Sequence, residues 1–150
     1  MKIAVLGGGN GSLAAAGDLT LAGHEVRLWR RDRAAVEAHR AGGGLITVKD
    51  FRGRHEVRAA LITGDMADAV RGAALILCPA PAPAQADIAH GLAPHLADGQ
   101  VVFLPPGTFG SVLFAKTTWD AGNRASVAFA ETGTLPWLTR KHGPFEAAIT

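Results

Sequence analysis

The sequence predicts an α/β domain built as a doubly wound parallel sheet with helices on both faces. Three observations lead there. Short, almost wholly apolar runs recur along the chain, as strands covered on both faces require. Segments with helical character separate these runs, so strands and helices alternate. The first run opens directly into a glycine-rich turn and an alanine-rich segment, "KIAVLGGGNGSLAAAG".

The elements follow in chain order. "KIAVL" is a buried strand by its length, its β-branched residues and its glycine boundary. Residues 12–22 read as a helix, with Gly23 as its stop. "EVRLW" is a second strand, and Asp32 can cap a helix over residues 33–40. The segment "LITVKDFRGRHEVRAALIT" alternates and contains Arg-Gly, which predicts a hairpin or two short strands. Asp65 caps a short helix ending at Arg71. "AALILC" is a buried strand, "PAPAQADIAHGLAPHL" turns into a helix, and "QVVFL" is the next strand. A loop and helix follow in "PPGTFGSVLFAKTTWDAG", then a strand in "ASVAFA" and a terminal strand in "FEAAIT". There is no internal repeat and no domain linker, so the 150 residues read as a single domain.

Composition sets the outer bounds. A chain of 150 residues buries roughly 70% of its unfolded surface. With 48% hydrophobic and 19% charged residues it has the means to build a core, which excludes disorder. A single cysteine, Cys78, excludes an internal disulfide and fits a reducing compartment. At the end of a buried strand with no basic neighbour, Cys78 reads as a core residue rather than a nucleophile. No apolar run approaches the ~20 residues of a membrane span. The apolar run after Lys2 is broken by Gly7 and is too short for a signal peptide. The expected location is the cytoplasm, with no membrane partner.

The net charge is +2, but residues 26–58 hold nine basic and four acidic side chains. A local basic patch calls for an anionic partner. Only Trp29 and Phe51 stand among these arginines, too few for a stacking surface, which argues against nucleic acid. The six histidines show no metal-ligand spacing, and no metal site is expected.

The glycine-rich turn carries the chemistry. Gly7 and Gly9 match the first two positions of G-x-G-x-x-G, and Ser12 stands at the third. The first glycine permits the tight turn, and the second lets the backbone approach a pyrophosphate. The third position needs only a small residue. Free amides at the helix start then face the anion. Gly17 inside this helix costs roughly 1 kcal/mol relative to alanine, which points to close backbone packing. The fold expected is therefore of the Rossmann type, and the loop residues Gly7, Gly8, Gly9, Asn10, Gly11 and Ser12 are the first candidate cofactor ligands. The second strand ends in "LWRRD". An acid at that edge would hold the ribose hydroxyl of NAD, whereas arginine accommodates the phosphate of NADP. Trp29, Arg30 and Arg31 occupy the deciding region, and Asp32 is better used as a cap. NADP(H) is the expected cofactor, with NAD(H) as the alternative. Ligands in such sheets lie beyond the carboxyl ends of the strands. That adds Pro79, Ala80 and Pro81, and Pro105 and Gly107, as stiff walls of the site.

Three segments, "GGGNGSLAAAGDLTLAGHEVRLWRR", "PAPAQADIAHGLAPHLADGQVVFLPPGTFGSVLF" and "AETGTLPWLTR", resemble the amino-terminal half of the octopine/nopaline (opine) dehydrogenases. The most specific parts are the Gly-Asn-Gly loop and the Glu-Thr-x-Thr-Leu-Pro segment. The loop alone also suits glycerol-3-phosphate dehydrogenase or ketopantoate reductase. The resemblance implies a reductive condensation in which an amino acid and a 2-keto acid form an imine and NAD(P)H reduces it. It also implies a histidine acid/base in a separate carboxy-terminal helical domain, so no catalytic residue is named in this chain, which is expected to be a fragment. Glu131 and Thr132 would face the cleft between the domains, near substrate. Weak self-association through that uncovered face is a further expectation. Two positions depart from the relatives: Ser12 stands where a second glycine is common after Asn-Gly, and Trp137 where a tyrosine is common after Leu-Pro. Other readings are a related keto acid or hydroxy acid reductase, or a free-standing NAD(P)(H) sensor. A sensor has no need of a rigid "TLPW" loop leading towards substrate.

Overall fold

The structure is a computed structural model describing residues 1–150. The alternation read from the sequence becomes a six-stranded, all-parallel sheet. Its strands are β1 (Lys2–Leu6), β2 (Glu25–Trp29), β5 (Leu61–Thr63), β6 (Leu75–Leu77), β7 (Val101–Leu104) and β8 (Ala128–Glu131). They lie in the order β5-β2-β1-β6-β7-β8. The winding reverses between β1 and β6, the switch point where such sheets open a crevice.

Period-two alternation divides the core along β1. Ile3 and Val5 face one way, into a cluster with Leu13, Ala14, Val26, Leu28 and Val36. Ala4 and Leu6 face the other, into a cluster with Met66, Ile88, Leu92 and Phe114. Helices α1 (Asn10–Leu21) and α2 (Arg33–Ala41) thus cover the first face. Helices α3 (Met66–Val70), α4 (Ala82–Leu92) and α5 (Gly110–Asp120) cover the second. The caps are the residues the sequence nominates. Asp32 accepts the amide of Ala35 at 3.1 Å, and Asp65 that of Asp68 at 2.9 Å. Gly23, at φ +84°, ends α1.

A second, smaller sheet stands beside the parallel one. The remaining strands, β3 (Leu45–Asp50), β4 (Gly53–Arg58), β9 (Thr139–Gly143) and β10 (Glu146–Ile149), form a second sheet in the order β4-β3-β10-β9. The hairpin β3–β4 is the one the alternation foretells, but β9 has no counterpart among the expected strands. This sheet lies on the outer side of α1, which explains Gly17. A Cβ there would lie 2.1 Å from Val48 Cγ2. Leu135, against Gly11, and Trp137, whose Nε1 donates to Asp18 at 2.9 Å, fasten the chain leading to β9 onto α1. No helix is long and apolar enough to cross a membrane.

Candidate dinucleotide cleft

A cleft of about 470 Å³ opens at the switch point. The turn after β1 forms its base. Gly7 has φ +125°, a conformation side chains rarely adopt, and a Cβ there would come within 2.5 Å of Ser12 Oγ. Ser12 is buried, and its hydroxyl donates to the Leu6 carbonyl at 3.4 Å. The small third residue therefore does the packing job expected of it. Gly9 begins α1 without a side-chain cap, no acid stands in the helix's first turn, and a Cβ on Gly9 would meet nothing within 4 Å. The bare helix start beside open space suits a phosphate approaching the backbone.

Apolar side chains line the adjoining part: Trp29, Met66, Ala84 and Ile88, with Pro79, Ala80 and Pro81 on the β6 side. Trp29 is fixed by its indole N–H, which donates to the Gly64 carbonyl at 3.1 Å. Arg30 and Arg31 diverge. Arg31 is exposed and reaches Asp87 across the cleft mouth at 3.1 Å. Arg30 is only 8% exposed, and its Nε and Nη1 have no hydrogen-bond partner. Its guanidinium passes over Gly8, where a Cβ would lie 2.8 Å from Nε, and sits 5.8 Å from the Phe145 ring. Burial lowers its pKa from the ordinary value, opposed in part by the charge of Asp32. A buried guanidinium with two idle nitrogens is costly unless an anion meets it. The residues present thus fit a phosphate-bearing cofactor.

Ten of the expected cofactor ligands line this cleft: Gly7, Gly8, Gly9, Ser12, Trp29, Arg30, Arg31, Pro79, Ala80 and Pro81. Four do not. Asn10 accepts the Lys141 amide at 3.0 Å, and Gly11 packs under Leu135 and Pro79. Pro105 and Gly107 belong to a separate turn after β7, where Gly107 backs onto Glu131. Glu131 differs from expectation more sharply. Its carboxylate accepts the amides of Phe109 at 3.0 Å and Ser111 at 2.8 Å, which caps α5. The Ser111 amide, with help from that of Phe109, holds the carboxyl below the usual glutamate range. Phe109, at φ 62°, has no polar side-chain atom to cap with, so Glu131 supplies the cap from β8. Thr132 is exposed, and its hydroxyl donates to the Thr134 carbonyl. Residue-by-residue reading missed the cleft lining from Gly64, Met66, Ala84, Asp87, Ile88 and Gly91. The apolar face of α4 was the available signal. Burial pushes the Cys78 thiol up to about 12, which fits a core residue. No group of three His, Cys, Asp or Glu side chains gathers as a metal site.

Residues 2–107 match the family described as NAD-dependent glycerol-3-phosphate dehydrogenase N-terminus. The chain belongs to this family. Its match spans the glycine turn, the Trp29–Arg31 edge and the Pro79–Pro81 wall, so the whole lining of the cleft lies within the matched NAD-dependent segment. An opine dehydrogenase of Arthrobacter sp. (strain 1C) is 30% identical over 147 residues, which is 97% of this chain and 40% of that protein. A glycerol-3-phosphate dehydrogenase [NAD(P)+] of Nitratidesulfovibrio vulgaris (strain DP4) is 37% identical over 102 residues, 68% of this chain and 30% of that protein. Among solved structures, an octopine dehydrogenase in complex with NADH and agmatine superposes with a TM-score of 0.86 at 26% identity, covering 99% of this chain and 39% of that one. The chain therefore spans two fifths or less of the length of these relatives.

Proposed function

We propose that this chain is the dinucleotide-binding part of an opine-type dehydrogenase, which joins an amino acid to a 2-keto acid and reduces the resulting imine to a secondary amine. One observation carries the choice. The family match ends at residue 107, but the likeness to the Arthrobacter opine dehydrogenase extends over 147 residues. It therefore takes in most of the region after residue 107, where Leu135 and Trp137 are tied to α1. The similarity to glycerol-3-phosphate dehydrogenase covers only 102 residues. When bound, the nicotinamide supplies the hydride. The glycine turn and the uncapped start of α1 would hold the phosphates, and Trp29 and Ile88 would line the apolar part of the site.

NADP(H) is the favoured cofactor. Arg30 stands at the edge of β2 where an acid would serve NAD, and Asp32 already caps α2. The substrate side lies beyond Thr132 at the carboxyl edge of β8; the Glu131 carboxylate is already engaged by α5. One buried cysteine fits work in the reducing cytoplasm.

The test uses the polypeptide that carries this chain. It is mixed with NADPH or NADH, pyruvate and a panel of amino acids, and secondary-amine dicarboxylates are sought by mass spectrometry alongside nicotinamide absorbance. Amine-dependent oxidation with such a product supports the reading. Oxidation that requires dihydroxyacetone phosphate instead would replace it with the glycerol-3-phosphate reading.

A further inference from the structure

Lys141 stands on β9, outside the parallel sheet, yet it is fastened to the glycine turn. Its amide donates to Asn10 Oδ1 at 3.0 Å, and its Nζ donates to the Gly8 carbonyl at 3.4 Å. Arg30 converges on the same glycine. Neither side chain belongs to any of the twelve ion pairs in the molecule. Partial burial, and after it the charge of Arg30, lower the Lys141 pKa from its ordinary value. Two cations brought together, neither of them in an ion pair, repel each other, and Asp32 offsets only part of the cost on Arg30, so their arrangement is costly by itself. Asn10 enforces it, since its side chain is spent on holding the β9 backbone against α1. The arrangement gains only from an anion that lies between the two and within reach of the uncapped start of α1.

We propose that Lys141 and Arg30 together hold one phosphate group of the dinucleotide, so that the second sheet, and not only the parallel one, contributes a cofactor ligand. This rests on the dinucleotide reading of the cleft and adds to it a residue outside the matched family segment, which ends at residue 107. Two phosphates carry the required chemistry: the 2′-phosphate of NADP and the pyrophosphate common to both cofactors.

The experiment is a calorimetric titration of the chain and its Lys141→Met and Lys141→Arg variants with NADPH, NADH and ADP-ribose. Lys141 is exposed, and its tie to Asn10 is through the backbone, so Lys141→Met keeps the fold; an unchanged melting temperature checks this. Losing a charge-assisted contact weakens binding about 10- to 150-fold. Loss confined to NADPH assigns the 2′-phosphate, and equal loss for all three ligands assigns the pyrophosphate. In either case Lys141→Arg restores most of the affinity, and raised salt weakens the wild type more than Lys141→Met. If the wild type binds and Lys141→Met binds every ligand equally well, the proposal is overturned while the cleft keeps its assignment. If the wild type binds none of them, the dinucleotide reading itself fails.

Discussion

Gly9 separates binding from folding more cleanly than any other position in the glycine turn. Its neighbour Gly7 cannot serve, because its φ of +125° and its 2.5 Å approach to Ser12 make any side chain a folding defect. Gly9 has an ordinary φ of −82° and open space where a Cβ would go. Gly9→Val should therefore leave the circular dichroism and melting temperature close to wild type. It should abolish measurable titration by NADH or NADPH, because the new side chain occupies the space at the helix start. Retained affinity would show that the phosphates lie elsewhere. At this scale much of the site was legible, since the glycine spacing and the "LWRRD" edge are local patterns. The split between Arg30 and Arg31 was not. Adjacent residues at a strand end point to opposite sides, and only the tertiary environment shows which is buried.

Elements are where packing and polar satisfaction decide the outcome, and α1 and α5 give opposite lessons. The costly Gly17 in α1 already signalled a close neighbour, but not that the neighbour would be β3. Gly17→Ala should gain up to about 1 kcal/mol in helix propensity. Against that, its methyl would clash with Val48 Cγ2 unless the neighbour shifted, and overpacking of a buried contact typically costs about 1–3 kcal/mol. The cost wins, and urea denaturation should show net destabilisation; a more stable variant would mean the second sheet yields easily. The cap of α5 was not legible, because Glu131 and Ser111 are 20 residues apart and the N-cap residue itself, Phe109, gives no capping signal. The amides of Ser111 and Phe109 favour the ionised carboxyl of Glu131, so its pKa is lower folded than unfolded. Its contribution is therefore full above the unfolded glutamate value of about 4.3, and it is lost as pH falls through the lower, folded value. Glu131→Gln should lower the melting temperature at pH 7, and the gap to wild type should close as the pH drops below that window. A gap that persists unchanged in acid would show that the carboxylate charge is not what caps α5.

At the scale of the whole molecule, two sheets share one helix, and the contacts that join them span the chain. Asn10 meets Lys141 across 131 positions, and Trp137 meets Asp18 across 119. Local periodicity reveals strands but carries nothing about which distant strand pairs with which, so the second sheet was out of reach of sequence reading. The parallel sheet was within reach because its strands and helices alternate and its glycine turn marks the first crossover. The ionisable side chains lining the cleft are Arg30, Arg31, Asp32 and Asp87, and the two carboxylates are engaged with the Ala35 amide and with Arg31. Both cleft carboxylates are thus already engaged, and reduction of an imine needs a proton-handling group held close to the reacting carbon. The chain should therefore behave as a binder. Ligand at a hundredfold excess over its Kd stabilises the folded state by about 2.7 kcal/mol. For a domain of this size that raises the melting temperature by roughly 5–10 °C. The same preparation, given NADPH, pyruvate and amino acids, should show no steady loss of nicotinamide absorbance. A thermal shift together with sustained oxidation would mean that a proton-handling group operates within these residues, and Asp87, freed from Arg31 by the incoming cofactor, would be the first side chain to replace.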